Sequence, residues 1–196
     1  LTKKPQSFSP RSHLIVAFVV CRGLYTMIYA GIGSRETPEG VLLKMEKIAF
    51  YLAHRYDALL RSGGAIGADS AFEAGCDSAN GKKEIFYAKE WQNKIKPTKE
   101  AWEEAGRIAS KIHPAWDRCN EYVRKLHSRN CFQVLGSGLD SPVDFVVCYA
   151  KEDKNGNPQG GTRTAIMLAR EHSIPVYNLF VDGMIEELRR LVIKQQ

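Results

Sequence analysis

Residues 59–73 read LLRSGGAIGADSAFE and contain three kinds of sequence. The stretch begins with apolar residues, continues with mostly small residues that have little or no side chain, and ends with an amphipathic segment. Leu59 and Leu60 are typical of a buried strand, whereas residues 67–79 have the apolar spacing of a helix. Glycine between them permits positive φ and lets the backbone approach a ligand closely. A helix N-terminus adds unpaired N–H groups and a partial positive charge. The stretch therefore predicts a strand, a loop suited to a phosphate group and a helix.

The same order of strand, loop and helix recurs along the chain. Residues 27–34 (MIYAGIGS) predict a first strand, and residues 142–150 (PVDFVVCYA) predict a nearly continuous buried strand. The first helix is expected to be capped by Thr37, and residues 116–136 are expected to form one helix. Strands that alternate with helices favour a mainly parallel sheet covered on both faces. The fold class is therefore α/β with three layers and about five to seven strands.

The composition is typical of a soluble globular protein. Of the 196 residues, 44% are hydrophobic and 26% are charged, and the net charge is +6. This charge favours anionic partners mildly, or it only aids solubility. The five cysteines include no CxxC pair, and the five histidines show no metal-ligand spacing. We therefore expect reduced thiols, a cytoplasmic location, no metal and no cofactor.

The N-terminal segment is set apart from the rest of the sequence. Residues 14–21 (LIVAFVVC) form an apolar run of eight residues, which is shorter than the ~20 needed to cross a bilayer. We expect residues 1–26 to be an N-terminal extension, either an appendage or an extra edge strand. Residues 27–196 are expected to form one domain, with no membrane partner.

Three glycine-rich stretches fall where predicted strands end or helices begin. They are residues 31–38 (GIGSRETP), 61–69 (RSGGAIGAD) and 157–165 (NPQGGTRTA). Ligands of parallel α/β sheets bind outside the carboxyl ends of the strands, so we expect these stretches to line one groove. Arginine binds phosphate bidentately and stacks on bases. The candidate binding residues are Gly31, Gly33, Ser34, Arg35, Ser62, Gly63, Gly64, Gly67, Arg129, Gly160, Gly161, Thr162, Arg163 and Thr164.

Three common motifs are absent from the sequence. There is no G-x-x-x-x-G-K-[ST] phosphate loop, and GIGSRE at residues 31–36 lacks the third glycine of the dinucleotide fingerprint. There is also no G-x-S-x-G nucleophile elbow in the second stretch. These classes of nucleotide-binding protein and hydrolase are therefore excluded.

The three stretches, together with LHSRN at residues 126–130 and IPVYNL at residues 174–179, resemble the SLOG superfamily over roughly residues 27–180. This superfamily of Rossmann-like proteins contains the DprA-like DNA-processing proteins and the LOG phosphoribohydrolases. The DprA-like branch is the more similar, because a G-S-R loop, an S-G-G/A-x-G-x-D loop and an R-N element line one groove in it. The resemblance implies a Rossmann-like fold and adds Asn130 to the candidate binding residues.

The resemblance to the LOG enzymes, which cleave the N-glycosidic bond of nucleoside 5′-monophosphates, is incomplete. Met167 occupies the place of their glutamate, and methionine cannot act as an acid or a base. Asp69 or Glu73 could supply a carboxylate in place of that glutamate, and Arg129 matches the LOG arginine. These three residues are therefore the catalytic candidates. Asp69 is equally well interpreted as a residue that braces its loop. Binding is therefore favoured over turnover.

The favoured function is binding of a phosphate-bearing nucleotide or nucleotide-derived ligand. The alternatives are a DprA-like single-stranded DNA-binding protein and an N-glycosidic-bond hydrolase of nucleoside 5′-monophosphates. The acidic residues within 151–154 favour a small ligand, because they would repel a continuous phosphate backbone. Homo-oligomerisation stays open.

Three tryptophans lie among lysines within residues 89–116 and allow two interpretations. Trp91, Trp102 and Trp116 either extend a nucleic-acid surface or a lid over the groove, or pack helices onto the core. For Trp102 and Trp116 we favour packing.

Overall fold

The computed structural model describes residues 26–193, so the expected extension at residues 1–26 lies outside the described residues apart from Thr26. The strands are β1 (Ile28–Gly33), β2 (Leu59–Ser62), β3 (Lys83–Ile85), β4 (Phe145–Tyr149) and β5 (Val176–Asn178). The helices are α1 (Glu39–Tyr56), α2 (Ala68–Ser78), α3 (Lys99–Ile112), α4 (Glu121–Leu135), α5 (Arg163–Glu171) and α6 (Met184–Ile193).

The five strands form one sheet in the order β3-β2-β1-β4-β5, and each neighbouring pair is parallel. Gly33 at the end of β1 is in register with Tyr149 at the end of β4. The order reverses between these two central strands, which places the topological switch point of the sheet there. The predicted α/β class and the parallel sheet are confirmed.

Apolar side chains cover both faces of the sheet and form two core layers. In β4 all five residues are buried, and they alternate between the layers: Val146 packs with α3, α4 and α5, whereas Phe145 packs with α1, α2 and α6. Burial on both faces explains why this strand has no polar alternation. The architecture is the predicted three-layer, Rossmann-like sandwich.

Two local expectations are wrong. Residues 116–136 do not form one helix, because Trp116–Arg118 is a separate 3₁₀ turn and Asn120 caps α4 by accepting a hydrogen bond from the Val123 amide at 2.9 Å. Thr37 does not cap α1. Its hydroxyl donates instead to the carbonyl of Ser34 at 2.7 Å, so it holds the loop that follows β1.

Between residues 26 and 193, no helix combines the length and apolar character needed to cross a bilayer.

Candidate functional site

Three loops meet at the carboxyl edge of the sheet. We name them loop 1 (residues 34–38, after β1), loop 2 (residues 63–67, after β2) and loop 3 (residues 150–162, after β4). Because β1 and β4 flank the switch point, loops 1 and 3 border the crevice in which open α/β sheets bind ligands. The predicted placement of the three glycine-rich stretches at one edge is confirmed.

Loops 1 and 2 are in direct contact. The amide of Ala68, the first residue of α2, donates to the carbonyl of Ser34 at 3.4 Å. Gly67 has a φ of 96°, and a Cβ atom on it would lie 2.8 Å from the Cα of Arg35. Glycine is therefore required at this position both for its backbone conformation and for the close approach of loop 1.

Helix α4 joins loop 2 to loop 3 through two consecutive buried side chains. Arg129 forms an ion pair with Asp69, the second residue of α2, with Nη1 3.2 Å from Oδ2. Asn130 donates through Nδ2 to the carbonyl of Gly161 in loop 3 at 2.8 Å. The structure thus brings together the R-N element and the two loops that the sequence placed in one groove.

The guanidinium of Arg129 keeps one edge without a partner. Its Nη1 donates to Asp69 and to Oε1 of Gln133, the latter at 3.0 Å. Its Nε is buried and makes no hydrogen bond, and no described residue accepts a hydrogen bond from its Nη2. The Nε–Nη2 edge is the one that arginine uses to bind phosphate or carboxylate in two parallel hydrogen bonds.

Positions 63 and 64 require glycine because two other side chains occupy the space that a Cβ atom would need. A Cβ atom on Gly63 would overlap the guanidinium of Arg129, and a Cβ atom on Gly64 would overlap the ring of Tyr87. The two glycines therefore allow an arginine and an aromatic ring to pack closely against the end of β2. Direct contact of either glycine with a ligand stays a prediction.

Two carboxylates brace loop 2 from within. Glu73 accepts hydrogen bonds from the Ser62 hydroxyl at 2.7 Å and from the Gly64 amide at 3.1 Å. Asp69 accepts one from the Ala65 amide at 3.3 Å. Burial raises the pKa of both carboxyl groups, and for Asp69 the opposing charge of Arg129 does not cancel this effect. Catalysis by either carboxylate stays a prediction.

Two backbone amides at the N-terminus of α5, where loop 3 ends, have no hydrogen-bond partner among the described residues. They belong to Thr164 and Ala165, and both residues are fully buried. Gly160 and Gly161 precede them, and a Cβ atom on either would project into open space. This combination of unpaired amides, an uncrowded loop and the positive end of a helix attracts anions.

The remaining candidates have distinct positions. Arg35 in loop 1 is exposed, and none of the described ion pairs or hydrogen bonds involves its side chain. Arg163 donates through Nη1 to the carbonyl of Pro158 at 3.2 Å, and its Nε is buried without a partner. Gly31 lies inside β1, where a Cβ atom would be 2.5 Å from Cγ of Phe72, so packing alone requires glycine there. Met167 packs against the core beneath α5.

Thr164 forms a buried hydrogen bond with His127, and this histidine is neutral at neutral pH. The Nδ1 atom of His127 lies 2.7 Å from Oγ1 of Thr164, and both residues are buried. Burial, followed by the nearby His113 and Arg129, lowers the pKa of His127 from 6.5 to about 4. The imidazole therefore adds no charge beneath the N-terminus of α5 at neutral pH.

Acidification should destabilise the protein through His127. Its folded pKa lies below the unfolded value of 6.5, so between pH 6.5 and about 4 the unfolded chain binds the extra proton. Its contribution to the free energy of unfolding falls as the pH falls through this window. Urea unfolding at several pH values should give a shallower pH dependence for His127→Gln than for wild type. The control His54→Gln, on the exposed part of α1, should match wild type; equal slopes for all three proteins would contradict the assignment.

Sequence reasoning missed Tyr87 and Gln133. Gln133 lies four residues after Arg129, a spacing that places two side chains on one face of a helix. The contact between them could therefore have been predicted from the sequence. Tyr87 follows the short strand β3, and no sequence pattern connects it with Gly64.

The tryptophans fit the packing interpretation in part. The ring of Trp102 lies edge-on to Phe132 with centroids 4.7 Å apart. Trp116 is partly buried, with the guanidinium carbon of Arg124 5.6 Å from its ring centroid. The side chain of Trp91 lies outside the described part of the structure.

Among residues 26–193, no group of three or more His, Cys, Asp or Glu side chains is arranged to hold a metal ion.

The fold and the loops at the carboxyl edge of the sheet define a Rossmann-like α/β protein with a candidate anion-binding crevice at its switch point. No known protein family's sequence profile matches the chain, and no curated protein matches it. The structure is similar to DNA processing protein A (DprA) from Streptococcus pneumoniae, with 15% sequence identity and a TM-score of 0.48, over 87% of this chain and 56% of that chain. This chain therefore spans little more than half the length of that protein.

A second solved structure is similar to the same extent. It is DprA from Helicobacter pylori, described for its single-stranded DNA binding mode, with 16% identity and a TM-score of 0.48, over 87% of this chain and 74% of that chain.

Proposed function

We propose that the protein binds a phosphate-bearing nucleotide or nucleotide-derived ligand in a crevice at the carboxyl edge of the sheet, bordered by loops 1, 2 and 3. The observation that carries this proposal is the unpartnered Nε–Nη2 edge of Arg129, a buried guanidinium tied to loop 2 by Asp69. A buried donor without an acceptor costs stability, so its retention is explained if a ligand supplies the acceptor.

Two further groups support an anionic ligand at this edge. Asn130, next to Arg129, is bonded to loop 3, which leads into the N-terminus of α5, where the buried amides of Thr164 and Ala165 have no partner among the described residues. Arg35 extends from loop 1 without an ion pair to a described residue. A phosphate group in the crevice would thus meet arginine donors and the positive end of α5.

Binding without turnover is the role that these residues support best. Asp69 and Glu73 are both engaged in bracing loop 2, and neither is freely available to a ligand. Met167, at the position of the LOG glutamate, lies against the core and carries no acid or base. The crevice therefore has donors for a phosphate group but no unengaged carboxylate among the catalytic candidates.

The first test is calorimetric titration of AMP, ADP-ribose and NAD into wild type and Arg35→Ala. Loss of one charge-assisted contact, roughly 1.5–3 kcal/mol, should weaken binding about 10- to 150-fold. Because Arg35 is exposed, the unfolding temperature without ligand should stay unchanged. Arg55→Ala, which removes an exposed arginine from the last turn of α1, is the matched control and should bind as wild type does. No binding of any of the three ligands by wild type would refute the proposal.

Single-stranded DNA is the second candidate, and one observation favours it. The acidic residues of loop 3 are already engaged: Glu152 pairs with Arg170 at 3.1 Å, and Asp153 accepts the amides of Asn155 and Asn157 within its own turn. The ion pair with Arg170 therefore weakens the repulsion between Glu152 and a phosphate backbone, whereas Asp153, bonded only to neutral groups, keeps its charge. Three to five contacts would give a slope of log K against log salt of roughly −2 to −3.5. Oligo-dT binding with this slope, lost in Arg35→Ala, would make DNA the ligand.

A further inference from the structure

We propose that Tyr87 is the wall of the crevice that recognises the nucleobase, its ring stacking on the base of a nucleotide whose phosphate is held by Arg129. This inference rests on the proposed function and deepens it, because it names the part of the ligand beyond the phosphate. It also assigns a role to a residue outside every sequence motif.

The first argument is the position of the ring. Tyr87 comes two residues after the end of β3, and its ring fills the space that a side chain on Gly64 would occupy. A Cβ atom there would overlap Cε1 and would lie 2.7 Å from Cδ1 and 2.8 Å from Cζ. The neighbouring Gly63 admits the guanidinium of Arg129 in the same way. Two consecutive glycines thus let an aromatic ring and the guanidinium of Arg129 pack against the same short loop.

The second argument is that the backbone of Tyr87 is fixed in advance of binding. Asn93, which is 4% exposed, accepts a hydrogen bond from the Tyr87 amide at 2.6 Å and donates one to the Tyr87 carbonyl at 3.1 Å. Both backbone groups of Tyr87 are therefore fixed by one buried side chain. A stacking residue whose backbone is ordered before the ligand arrives loses less conformational entropy on binding.

The third argument is exposure. Tyr87 is only partly buried, and its hydroxyl makes no hydrogen bond to any described residue. Trp102, by contrast, is packed against Phe132 in the core. A fixed, partly exposed aromatic ring beside a phosphate-binding arginine is the combination that nucleotide and single-strand sites use for stacking.

The test compares AMP with ribose 5-phosphate, which has the same phosphate and sugar but no base. In Tyr87→Leu, which keeps an apolar side chain against Gly64, AMP should bind roughly tenfold or more weakly, whereas ribose 5-phosphate should change by less than about twofold. Tyr87→Phe should keep the wild-type ratio of the two affinities, because it keeps the ring. Tyr51→Leu removes an exposed tyrosine from α1 and is the matched control.

Several outcomes would overturn the inference. If Tyr87→Leu weakens both ligands equally, the ring only shapes loop 2; if it weakens neither, the base does not reach it. Wild type that binds ribose 5-phosphate as tightly as AMP would likewise exclude a base-recognising wall. In all three cases the proposed function stands if nucleotide binding by wild type is weakened in Arg35→Ala. Wild type that binds neither AMP nor ribose 5-phosphate would overturn this inference, and it would overturn the proposed function as well if ADP-ribose and NAD also fail to bind. Circular dichroism and the unfolding temperature of each variant confirm that it is folded.

Discussion

Asp69→Ala should lower the free energy of unfolding by about 3–5 kcal/mol, because it leaves the guanidinium of Arg129 buried without its counter-ion. The two side chains are 2% and 7% exposed, so water cannot take the place of the lost carboxylate without rearrangement. For a chain of this size the unfolding temperature should fall by roughly 6–20 °C. Chemical denaturation followed by circular dichroism, with a thermal melt, measures both quantities.

A double variant separates the value of the ion pair from the cost of breaking it. Asp69→Leu combined with Arg129→Leu removes both charges and fills the space with apolar groups, so it should recover most of the stability lost in Asp69→Ala. It should nevertheless bind no AMP, because the phosphate donor is gone. If the double variant were less stable than Asp69→Ala, the pair itself would be a net source of stability and our account of it would be wrong.

Phe132→Ala should destabilise the protein by about 3–5 kcal/mol, the usual cost of truncating a buried phenylalanine. Phe132 is fully buried in α4, where its ring meets Trp102 of α3 at 4.7 Å and Phe86, which follows β3, at 5.9 Å. Truncation would remove the contact that joins these elements beneath the crevice. Urea unfolding with linear extrapolation provides the measurement.

A substitution on the same helix supplies the control for Phe132→Ala. Tyr122 is 53% exposed in the first turn of α4, and Tyr122→Ala should change the free energy of unfolding by no more than about 0.5 kcal/mol. A loss below about 1 kcal/mol for Phe132→Ala would contradict the packing of α4 described here.

Local sequence patterns were sufficient for the architecture. The apolar run at residues 142–150 and the bare stretch after Leu60 predicted strands, and the helical spacing between them implied parallel crossovers. Once the sheet is parallel, loops 1, 2 and 3 must meet at its carboxyl edge, because every such strand points the same way. The expectation that the three glycine-rich stretches line one groove follows from this chain direction alone.

The errors lie where competing local interactions have similar energies. Thr37 was expected to cap α1, but its hydroxyl donates to the Ser34 carbonyl, an alternative that side chains of this type have at most turns. Residues 116–136 have continuous helical spacing, yet Asn120 begins a new helix after the 3₁₀ turn at Trp116–Arg118. Periodicity indicates a helical face and leaves the exact boundaries to such capping contacts.

The roles within the site were decided only by tertiary structure. The sequence determined that Arg129, Asp69, Gly63 and Gly64 belong near one edge. It did not determine that Gly63 makes room for Arg129, or that Gly64 makes room for Tyr87. Arg129 and Asp69 are 60 residues apart, and no local period connects such positions. Their pairing, and the unpartnered guanidinium edge that it leaves, exist because α4 packs over the carboxyl end of the sheet and excludes water from both charges.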